Sequence, residues 1–440
     1  MNKRIGIRKE DKNPWERRSP LIPSHVKELI QKSNVDVDIQ SSPNRIFSDE
    51  EFTREGARIV DSLRDCPVIF AVKEIPPHLF EQNKVYIFFS HTIKGQSKNM
   101  PMLKKMIDLK CTLIDYERII DENGLRLVFF GRQAGQVGMI DTLWALGQRW
   151  DAQGIRNPFS SIKQAFNYPS LVAAKEEVSA VGWTIKNHGL NPALVPLVCG
   201  FTGYGRVSQG AQEIFSLLPS EELLPGEIEE LFKAKDFASN RLYKVVFKEE
   251  HMVEPIQRQQ DFDLQDYYDC PEKYQPVFER YVPYLTILVN CIYWAPQYPR
   301  LVTRKFLNRL WTGVDPPRLH VIGDISCDQE GAIECTVKTT SQDNPVFVFD
   351  PLEGKTVDGY EGRGVVILAT DNLPTELPLE SSIFFSQSLK PLVPAIANAD
   401  FSGSFDKCAL PNSVKKAVIL YRGQFTPDYE YMNNFISVKR

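Results

Sequence analysis

Residues 193–218 read ALVPLVCGFTGYGRVSQGAQEIFSLL and join an apolar run, a glycine-rich turn and an amphipathic stretch. The run at 193–199 predicts a buried strand, and the apolar residues recurring every three or four positions after the turn predict a helix. Between them, residues 203–208 read GYGRVS, which matches the pattern GxGxx(G/S). This context is typical of sites that bind the pyrophosphate of a dinucleotide at a helix N-terminus. A plain βα turn, in which glycine serves only the backbone geometry, is the alternative.

Each small residue of this turn has a physical reason in a dinucleotide site. Gly203 allows the tight turn, Gly205 lets the backbone approach the pyrophosphate, and Ser208 lets the helix pack closely on its strand. Two later buried-strand patterns end in polar side chains that would line the same pocket. The predicted nucleotide-binding residues are Gly200, Gly203, Gly205, Arg206, Val207, Ser208, Asn290 and Asp324.

The second strand of such a site usually ends in an acid that binds the ribose hydroxyls. Here the corresponding region, 220–231, reads SEELLPGEIEEL, and Pro225 and Gly226 follow its short apolar pair. No acid is clearly placed, and Glu227 is the nearest candidate. A site without this acid tolerates a 2′-phosphate better. The expected cofactor is therefore NADPH or NADP, with NAD as the alternative.

Length and composition exclude several classes of protein. The chain has 440 residues, 42% of them hydrophobic, which is typical of globular proteins with more than one domain. The formal charge of −4 gives no basic bias toward nucleic acid, and no apolar run is long enough to predict a membrane span. The start lacks the apolar core of a signal peptide. Eight cysteines lie singly, so we expect reduced thiols, no metal site, and a cytoplasmic protein, or one of an organelle matrix if a targeting segment was removed.

Apolar β-rich runs alternate with helical patterns, which predicts the α/β class with parallel sheets. Strands are predicted at 4–8, 35–39, 66–73, 84–89, 111–115, 284–294 and 319–326, with another beginning at Arg126. Helices are predicted at 24–33 with Ser24 as the N-cap, at about 135–150, and at 170–185. Because the glycine turn begins near residue 200, a whole domain precedes it. We expect the first domain to bind substrate and the second to bind the dinucleotide.

Titratable residues lie at the ends of several early strands. Lys73 and Glu74 follow VIFAV, His91 follows VYIFFS, and Glu117 follows CTLIDY. Because ligands bind outside the carboxyl ends of parallel strands, these side chains are predicted to converge on one edge of the sheet. A solvated charge or a structural histidine is the alternative for each one taken singly. Together they predict an acid/base site, since the ordinary pKa of histidine, near 6.5, suits proton transfer.

A set of segments, spread in order along nearly the whole chain, carries a resemblance to a known family. They are IRKEDKNPWERRSPLIPSHV, VKEIPP, FFSHTIKGQ, LIDYE, FTGYGRVSQGAQEIF, NCIYW, PRLVTR, GDISCDQEGAIE and TDNLPTELPLESS. In these segments the chain resembles the lysine–2-oxoglutarate reductase half of aminoadipic semialdehyde synthase. It is similar, more distantly, to the fungal saccharopine dehydrogenase that forms lysine, and in fold to alanine dehydrogenase and transhydrogenase.

The resemblance implies two Rossmann-like α/β domains with a cleft between them and a C-terminal segment that returns to the first domain. The predicted substrate and catalytic domain covers 1–145 and 375–440, and the dinucleotide-binding domain covers 146–374. The implied reaction is the NADPH-dependent reductive condensation of lysine and 2-oxoglutarate to saccharopine. These small molecules are the expected partners, without nucleic acid or a membrane, and a homo-oligomer is compatible with them.

The resemblance also implies roles for particular residues. Lys73 and His91 match the catalytic acid/base pair, with Glu74 and Glu117 as neighbours that tune them. Asp371, in TDNLP, matches an acid that pairs with the catalytic lysine. The residues expected to bind the substrate are Arg18, Arg126 and Lys94, with Arg17 as the alternative to Arg18.

Several questions stay open at the level of sequence. One alternative function is an NAD-linked saccharopine dehydrogenase working in the lysine-forming direction, and another is a non-catalytic homologue that senses nucleotide or lysine. The charge state of Lys73 is open as well, because burial would lower its pKa whereas Glu74 and Asp371 would raise it.

Overall fold

The computed structural model describes residues 3–257 and 260–436. The chain divides into two compact units at Phe130/Gly131 and at Leu377/Pro378. The first unit comprises the chain up to Phe130 and from Pro378 onward, and the second unit comprises Gly131–Leu377. The sequence had placed the boundaries at 145/146 and 374/375. The first one differs because a single continuous helix, which begins at Gly131, packs within the second unit.

The elements are numbered in chain order within the described residues. The strands are β1 (Arg4–Ile7), β2 (Asp36–Gln40), β3 (Arg58–Val60), β4 (Val68–Phe70), β5 (Val85–Phe88), β6 (Thr112–Asp115), β7 (Val198–Thr202), β8 (Ser220–Leu223), β9 (Leu242–Phe247), β10 (Val253–Pro255), β11 (Tyr274–Pro276), β12 (Ile287–Asn290), β13 (Val321–Asp324), β14 (Val346–Asp350), β15 (Lys355–Asp358), β16 (Val365–Leu368), β17 (Val418–Tyr421) and β18 (Gln424–Phe425). The helices are α1 (Pro23–Ser33), α2 (Asp49–Arg54), α3 (Met100–Asp108), α4 (Gly131–Ala152), α5 (Leu171–His188), α6 (Arg206–Phe215), α7 (Glu227–Ala234), α8 (Glu249–Met252), α9 (Leu264–Asp269), α10 (Arg304–Trp311), α11 (Pro378–Leu389), α12 (Val393–Asn398), α13 (Asn412–Lys415) and α14 (Asn433–Ile436).

The first unit is built on an eight-stranded sheet in the order β18-β17-β6-β5-β4-β1-β2-β3. Strands β1 to β6 pair in parallel, and β17 from the end of the chain adds to β6 in the antiparallel sense. Every residue of β4, β5 and β6 is buried, as expected for strands covered on both faces. The C-terminal segment therefore completes the sheet of the first unit, as the resemblance implied.

The second unit holds another eight-stranded sheet, in the order β15-β14-β16-β13-β12-β7-β9-β8. Strands β8, β9, β7, β12, β13 and β16 are parallel, and β14 and β15 are antiparallel. Strand β8, which follows the glycine turn and α6 in the chain, lies at the edge and pairs with β9. Strand β9 is thus the neighbour of β7 on that side, an order that the sequence had not predicted.

Helices α4 and α6 cross in very close contact inside the second unit. A Cβ atom on Gly135 would lie 1.9 Å from the Val207 carbonyl oxygen, and one on Gly210 would lie 2.1 Å from the Arg132 carbonyl oxygen. Both neighbours are backbone atoms and cannot rotate away. The two glycines are therefore required for the approach of these helices, which fixes the position of α6 beneath the glycine turn.

Three local predictions were wrong. Ser24 does not cap α1, since the N-cap position is Ile22 and Pro23 takes the first helical position, where its fixed φ is suited. The strand predicted at 193–199 begins only at Val198, because residues 192–194 form a 3₁₀ turn and Pro196 interrupts the segment. Arg126 begins no strand and makes an isolated β-bridge with Ile120.

Gly210→Ala is expected to destabilise the second unit by about 3 kcal/mol, because overpacking against backbone costs roughly 1–3 kcal/mol even where side chains can adjust. The urea midpoint of unfolding, followed by tryptophan fluorescence, measures the loss. Gly226→Ala is the matched control, since nothing lies within 4 Å of the added Cβ and its φ of −69° suits alanine. Equal midpoints for the two variants would contradict this account of the helix crossing.

Candidate functional site

Lys73 lies three residues beyond Phe70, the last residue of β4. The backbone at Lys73 is held by the carboxylate of Glu10, which follows the end of β1. The backbone N–H groups of Val72 and Lys73 donate to the two carboxylate oxygens of Glu10, at 2.7 and 3.1 Å. Burial, with the charge of Glu16, raises the pKa of Glu10 to about 7. Glu10 was missed in the sequence, although it follows β1 as Lys73 follows β4. It fixes the segment that carries the candidate catalytic lysine.

The charge state of Lys73 is decided by burial. Desolvation, together with the charges of Arg18 and Lys12, lowers the pKa of Lys73 to about 8. The carboxylates of Glu16 and Glu74 oppose this shift and do not cancel it. The neutral amine, which can accept a proton, is therefore far more populated near pH 7 in Lys73 than in an ordinary lysine.

Glu74 accepts hydrogen bonds from two neighbouring side chains. His91 Nδ1 donates to Glu74 Oε1 at 2.7 Å, and Lys12 Nζ donates to Glu74 Oε2 at 2.8 Å. Burial alone would raise the pKa of Glu74, but the hydrogen bond and charge of His91, together with Lys12, hold this pKa well below its usual range. Glu74 is therefore a fixed anion that orients the imidazole.

His91 is held in an unusual conformation. Its φ of 47° lies in the left-handed region of backbone conformation. Residues other than glycine rarely adopt this conformation, and those that do are often at functional sites. The side chain is 36% exposed, its ring stacks on Phe89, and the Asn99 amide donates to its carbonyl oxygen at 3.0 Å. One ring nitrogen faces Glu74 and the ring remains open to solvent, so the imidazole is not a buried core side chain.

The predicted residues Glu117 and Arg126 meet beyond β6. Arg126 Nη2 donates to Glu117 Oε1 at 2.5 Å, and the arginine side chain is about half exposed. The Glu117 backbone N–H donates to Asp115 at 2.8 Å, which fixes this turn. A substrate carboxylate would compete with Glu117 for the guanidinium. Lys94 is exposed on the loop that follows His91.

Arg18 lies inside the first unit. Its Nε and Nη2 donate to the two oxygens of Glu16 at 2.7 and 2.6 Å, and its guanidinium lies 4.3 Å from the centre of the Phe130 ring. The neighbouring Arg17 is exposed and donates to the Asn44 carbonyl oxygen at 3.4 Å. Binding of a substrate carboxylate by Arg18 stays a prediction.

Asp371 belongs to the second unit and follows β16. Its side chain is exposed, and its backbone N–H donates to the Thr340 carbonyl oxygen at 3.3 Å. The pairing of Asp371 with Lys73 stays a prediction as well.

The glycine turn has the geometry of an anion site. Gly203 has a φ of +80°, which favours glycine, and nothing lies within 4 Å of the position of a Cβ on Gly205. Helix α6 begins at Arg206, and its N-cap, Gly205, supplies no side-chain cap. Ser208 is buried in the first turn of this helix. The open space and the N–H groups of the helix N-terminus fit the pyrophosphate of a dinucleotide.

Asn290 and Asp324 form a buried polar network at the ends of β12 and β13. Asn290 Nδ2 donates to Asp324 at 2.8 Å, and the hydroxyls of Thr202 and Thr336 donate to Asn290 and Asp324, at 3.0 and 2.6 Å. Burial raises the pKa of Asp324 to about 6. Gly200 lies within β7, where a Cβ would press on Phe247. The hydrogen bonds of Asn290 and Asp324 hold the strand ends together. Direct contact of Gly200, Asn290 and Asp324 with nucleotide stays a prediction.

A cavity of about 410 Å³ opens beside the glycine turn in the second unit. Its lining residues include Gly203, Gly205, Glu249, Arg300 and the tyrosines at positions 204, 267, 268, 293 and 298. An acid is therefore present just beyond β9, the strand next to β7. The sequence did not point to Glu249, because it could not show that β9 lies between β7 and β8.

Glu227, the acid that the sequence had suggested, lies elsewhere. It is the first residue of α7, after the edge strand β8, and its carboxylate accepts the Leu224 backbone N–H at 2.7 Å. It is not among the residues that line the cavity.

Across 3–257 and 260–436, no group of three histidine, cysteine, aspartate or glutamate residues is placed to hold a metal ion. In the same part of the chain no helix is both long enough and apolar enough to span a bilayer.

Two family models match separate parts of this chain. The family model "Alanine dehydrogenase/PNT, N-terminal domain" matches residues 6–137, and "Alanine dehydrogenase/PNT, C-terminal domain" matches residues 272–428. Alpha-aminoadipic semialdehyde synthase from Arabidopsis thaliana is 40% identical over 97% of this chain, which spans 41% of that relative. The NAD(+)-dependent, L-lysine-forming saccharopine dehydrogenase of Emericella nidulans is 28% identical, with 88% of this chain and 90% of the relative covered.

Among solved structures, an L-alanine dehydrogenase superposes with a TM-score of 0.63 at 18% identity, covering 99% of this chain and all of that one. At this identity the likeness concerns the fold, and it confirms the α/β class with two Rossmann-like domains. The parallel sheets, the glycine turn and both family matches lead to one conclusion: the chain belongs to the alanine dehydrogenase/PNT family of pyridine-nucleotide-dependent oxidoreductases.

Proposed function

We propose that this protein is a lysine–2-oxoglutarate reductase, which condenses L-lysine with 2-oxoglutarate and reduces the product to saccharopine. The observation that carries the proposal is the cluster of Lys73, Glu74 and His91, in which burial lowers the pKa of the lysine to about 8. The similarity to alpha-aminoadipic semialdehyde synthase supports it. The chain spans less than half of that relative, so the proposal concerns only the reductase reaction.

The first step requires a base. The side-chain amine of free lysine has a pKa of about 10.4, so it arrives protonated and must lose a proton before it attacks the keto carbon. Lys73, whose pKa is about 8, is neutral often enough to accept this proton. Its burial also favours the neutral form after each turnover.

The second step requires an acid. Attack of the amine forms a carbinolamine, and loss of its hydroxyl as water needs a proton donor near that oxygen. His91 is suited to this role because its Nδ1 is held by Glu74 at 2.7 Å, which leaves Nε2 to exchange a proton with the substrate.

The nucleotide would be held by the second unit. Gly203, Gly205 and the N-terminus of α6 would bind its pyrophosphate, and the tyrosine-lined cavity beside them would take the adenosine half. When bound, the reduced nicotinamide supplies the hydride that converts the imine to the secondary amine. The residues of this chain contribute placement of the two substrates and the proton transfers.

Carboxylate recognition fits the same substrates. Lysine and 2-oxoglutarate together bring three carboxylates, and guanidinium groups bind such groups in a bidentate manner. Arg126 is accessible at the carboxyl edge of the first sheet, and Lys94 is exposed on the loop after His91. We propose these two as substrate contacts, with Arg18 as the third.

A second candidate function is an NAD-linked saccharopine dehydrogenase that works in the lysine-forming direction. Two observations favour it: the similarity to the fungal relative of that name, and the acid beside the glycine turn. Initial rates in both directions with both nucleotides distinguish the two functions. A regulator that senses nucleotide or lysine would bind these ligands without turnover.

The redox state of the cysteines is evidence about the compartment in which the protein works. All eight are free thiols, and five of them are buried. We propose a reducing compartment, either the cytoplasm or an organelle matrix.

His91→Ala and Lys73→Met are each expected to lower saccharopine formation by about two to four orders of magnitude, since general acid–base groups contribute typically 10²–10⁴-fold. The assay follows oxidation of the reduced nucleotide and requires both lysine and 2-oxoglutarate. Binding of nucleotide should stay within about twofold of the unmodified protein.

His78→Ala and Lys98→Met are the matched controls, because both side chains are exposed and lie outside the cluster. Turnover close to normal in the His91 and Lys73 variants would refute their assignment. Oxidation of nucleotide that is independent of lysine would refute the reaction.

The pKa of Lys73 can be tested without turnover. Competitive labelling with acetic anhydride, read by peptide mass, should give a midpoint near pH 8 for Lys73, against about 10.4 for a model lysine peptide in the same tube. Lys12→Met removes a nearby positive charge and should move this midpoint upward. A labelling midpoint near pH 10 for Lys73 in the unmodified protein would contradict its proposed role as the base.

A further inference from the structure

We propose that Asp141 and Glu376 form a proton-binding site inside the second unit. One proton shared by the two carboxyl groups holds residues 371–376, called the closing segment below, against α4, and this contact weakens as the pH rises. Both residues belong to the second unit, which ends one residue after Glu376. The inference is independent of the proposed reaction, because neither residue belongs to the candidate catalytic or nucleotide-binding sites.

Both carboxyl groups are buried with few hydrogen-bond donors. Asp141 lies in the middle of α4 and is fully buried, and Glu376 follows the 3₁₀ turn Leu373–Thr375 and is 3% exposed. The Ala165 backbone N–H donates to Asp141 Oδ1 at 2.7 Å. No N–H or hydroxyl group of the described residues makes a well-formed hydrogen bond to Asp141 Oδ2 or to either Glu376 oxygen. Burial of two ionised carboxylates in such surroundings is costly.

A shared proton gives these oxygens a partner. The carboxyl groups of Asp141 and Glu376 are in hydrogen-bonding contact with each other. A neutral carboxyl carries an O–H donor, so protonated Glu376 can donate to Asp141. Ionisation of both groups is unfavourable, since like charges repel at close range. In agreement with this geometry, burial raises the pKa of both groups, that of Asp141 to about 7.

Among the described residues, no positive charge compensates for the pair. Apart from burial and the two carboxyls themselves, the backbone N–H groups of Ala165 and Phe166 act on them and favour the ionised forms. Tyr168 is a further titratable group near Asp141. Burial, with the charges of Glu177 and Asp141, raises the pKa of this tyrosine, so it stays neutral.

The charged side chains of α4 and of the elements packed against it are engaged elsewhere. Arg132 and Arg149 lie at least eight residues from Asp141, which is about 12 Å along the helix axis. Arg132 donates to Glu213 of α6, and Arg149 donates to two backbone carbonyl oxygens. The remaining ones are exposed or hydrogen-bonded to other groups: Asp151 at the end of α4, Arg206 of α6, Asp324 of β13, and Asp371 before the 3₁₀ turn.

The pair lies where the closing segment meets α4. A Cβ atom on Gly138, one turn before Asp141, would lie 3.2 Å from Leu373 Cδ1, so the 3₁₀ turn packs directly on the helix. The Gln342 amide donates to the Thr375 hydroxyl at 2.8 Å and holds the turn from another side. The bond between the two carboxyls adds the contact at the end of the segment, and this contact requires the proton.

The sign of the pH dependence follows from the direction of the shifts. In the unfolded chain the two carboxyls have ordinary pKa values, about 3.9 for Asp and 4.3 for Glu. Both pKa values are higher in the folded protein, which therefore binds more protons. The stabilisation is complete at acid pH and is lost as the pH rises through about 7 and above. One proton changes the unfolding equilibrium constant by about tenfold per pH unit within this window.

The test compares the unfolding equilibrium constants of the full-length protein and its Glu376→Gln variant, from urea titrations between about pH 6 and pH 8. Tryptophan fluorescence reports mainly on the second unit, which holds five of the six tryptophans. Glutamine keeps the size of the side chain and offers an N–H donor to Asp141 without titrating. The unmodified protein should lose stability relative to this variant, the ratio of the two constants changing by about tenfold or more over the range.

Asp141→Asn removes the other carboxyl and should reduce the pH dependence in the same way, which keeps the proposal testable if Glu376→Gln folds poorly. Glu176→Gln is the matched control, because Glu176 is exposed on α5 of the same unit. It should follow the unmodified protein within about twofold at each pH. Equal pH dependence of the unmodified protein and both pair variants would overturn the proposal. Stabilisation by potassium over choline that both variants abolish would also overturn it, since the pair would then be ionised around a cation.

Hydrogen exchange tests whether the proton holds the closing segment itself. The backbone N–H groups of Thr375 and Glu376 donate to the carbonyl oxygens of Asn372 and Leu373, both at 3.0 Å. Their protection, corrected for the intrinsic exchange rate, should fall with rising pH in the unmodified protein and stay level in Glu376→Gln. Protection that changes equally in both proteins would refute this role of the pair. None of these measurements requires turnover, so their outcome and that of the saccharopine assay are separate.

Discussion

The constraint on which the function depends is the parallel pairing of strands within each sheet. Parallel strands bring their carboxyl ends to one edge, so residues far apart in the chain meet there. In the first unit β4, β5 and β6 end at Phe70, Phe88 and Asp115, and the candidate acid/base residues follow shortly after each. In the second unit the same edge carries the glycine turn and Glu249.

Crowding of charges at such an edge has a chemical consequence. Glu10 and Glu74 each hold a specific partner by hydrogen bonds, the first a stretch of backbone and the second an imidazole. Burial, together with the charges of Arg18 and Lys12, lowers the pKa of Lys73 to about 8. An ordinary surface lysine, with a pKa of about 10.4, is neutral far more rarely at the same pH.

In the second unit the position of the glycine turn depends on the close approach of two helix backbones, those of α4 and α6, and not on charge. Helix α6 presents its N-terminus to the turn only because Gly135 and Gly210 let α4 lie against it without a clash. The buried bonds among Thr202, Asn290 and Asp324 then hold the neighbouring strand ends. The position of the α6 N-terminus thus depends on packing some distance below the turn.

The sequence alone determined the class of fold, the glycine turn with its helix, and the strand ends that carry Lys73 and His91, because these follow from local periodicity and from residue types at fixed spacing. It could not determine that β9 lies beside β7, since strand order depends on which distant segments pair. The contact of Glu10 was hidden for the same reason: its carboxylate accepts the Lys73 backbone N–H across 63 positions of the chain. Whether burial or neighbouring carboxylates govern the pKa of Lys73 was likewise decided by the tertiary structure, because desolvation exists only once the chain has folded around the amine.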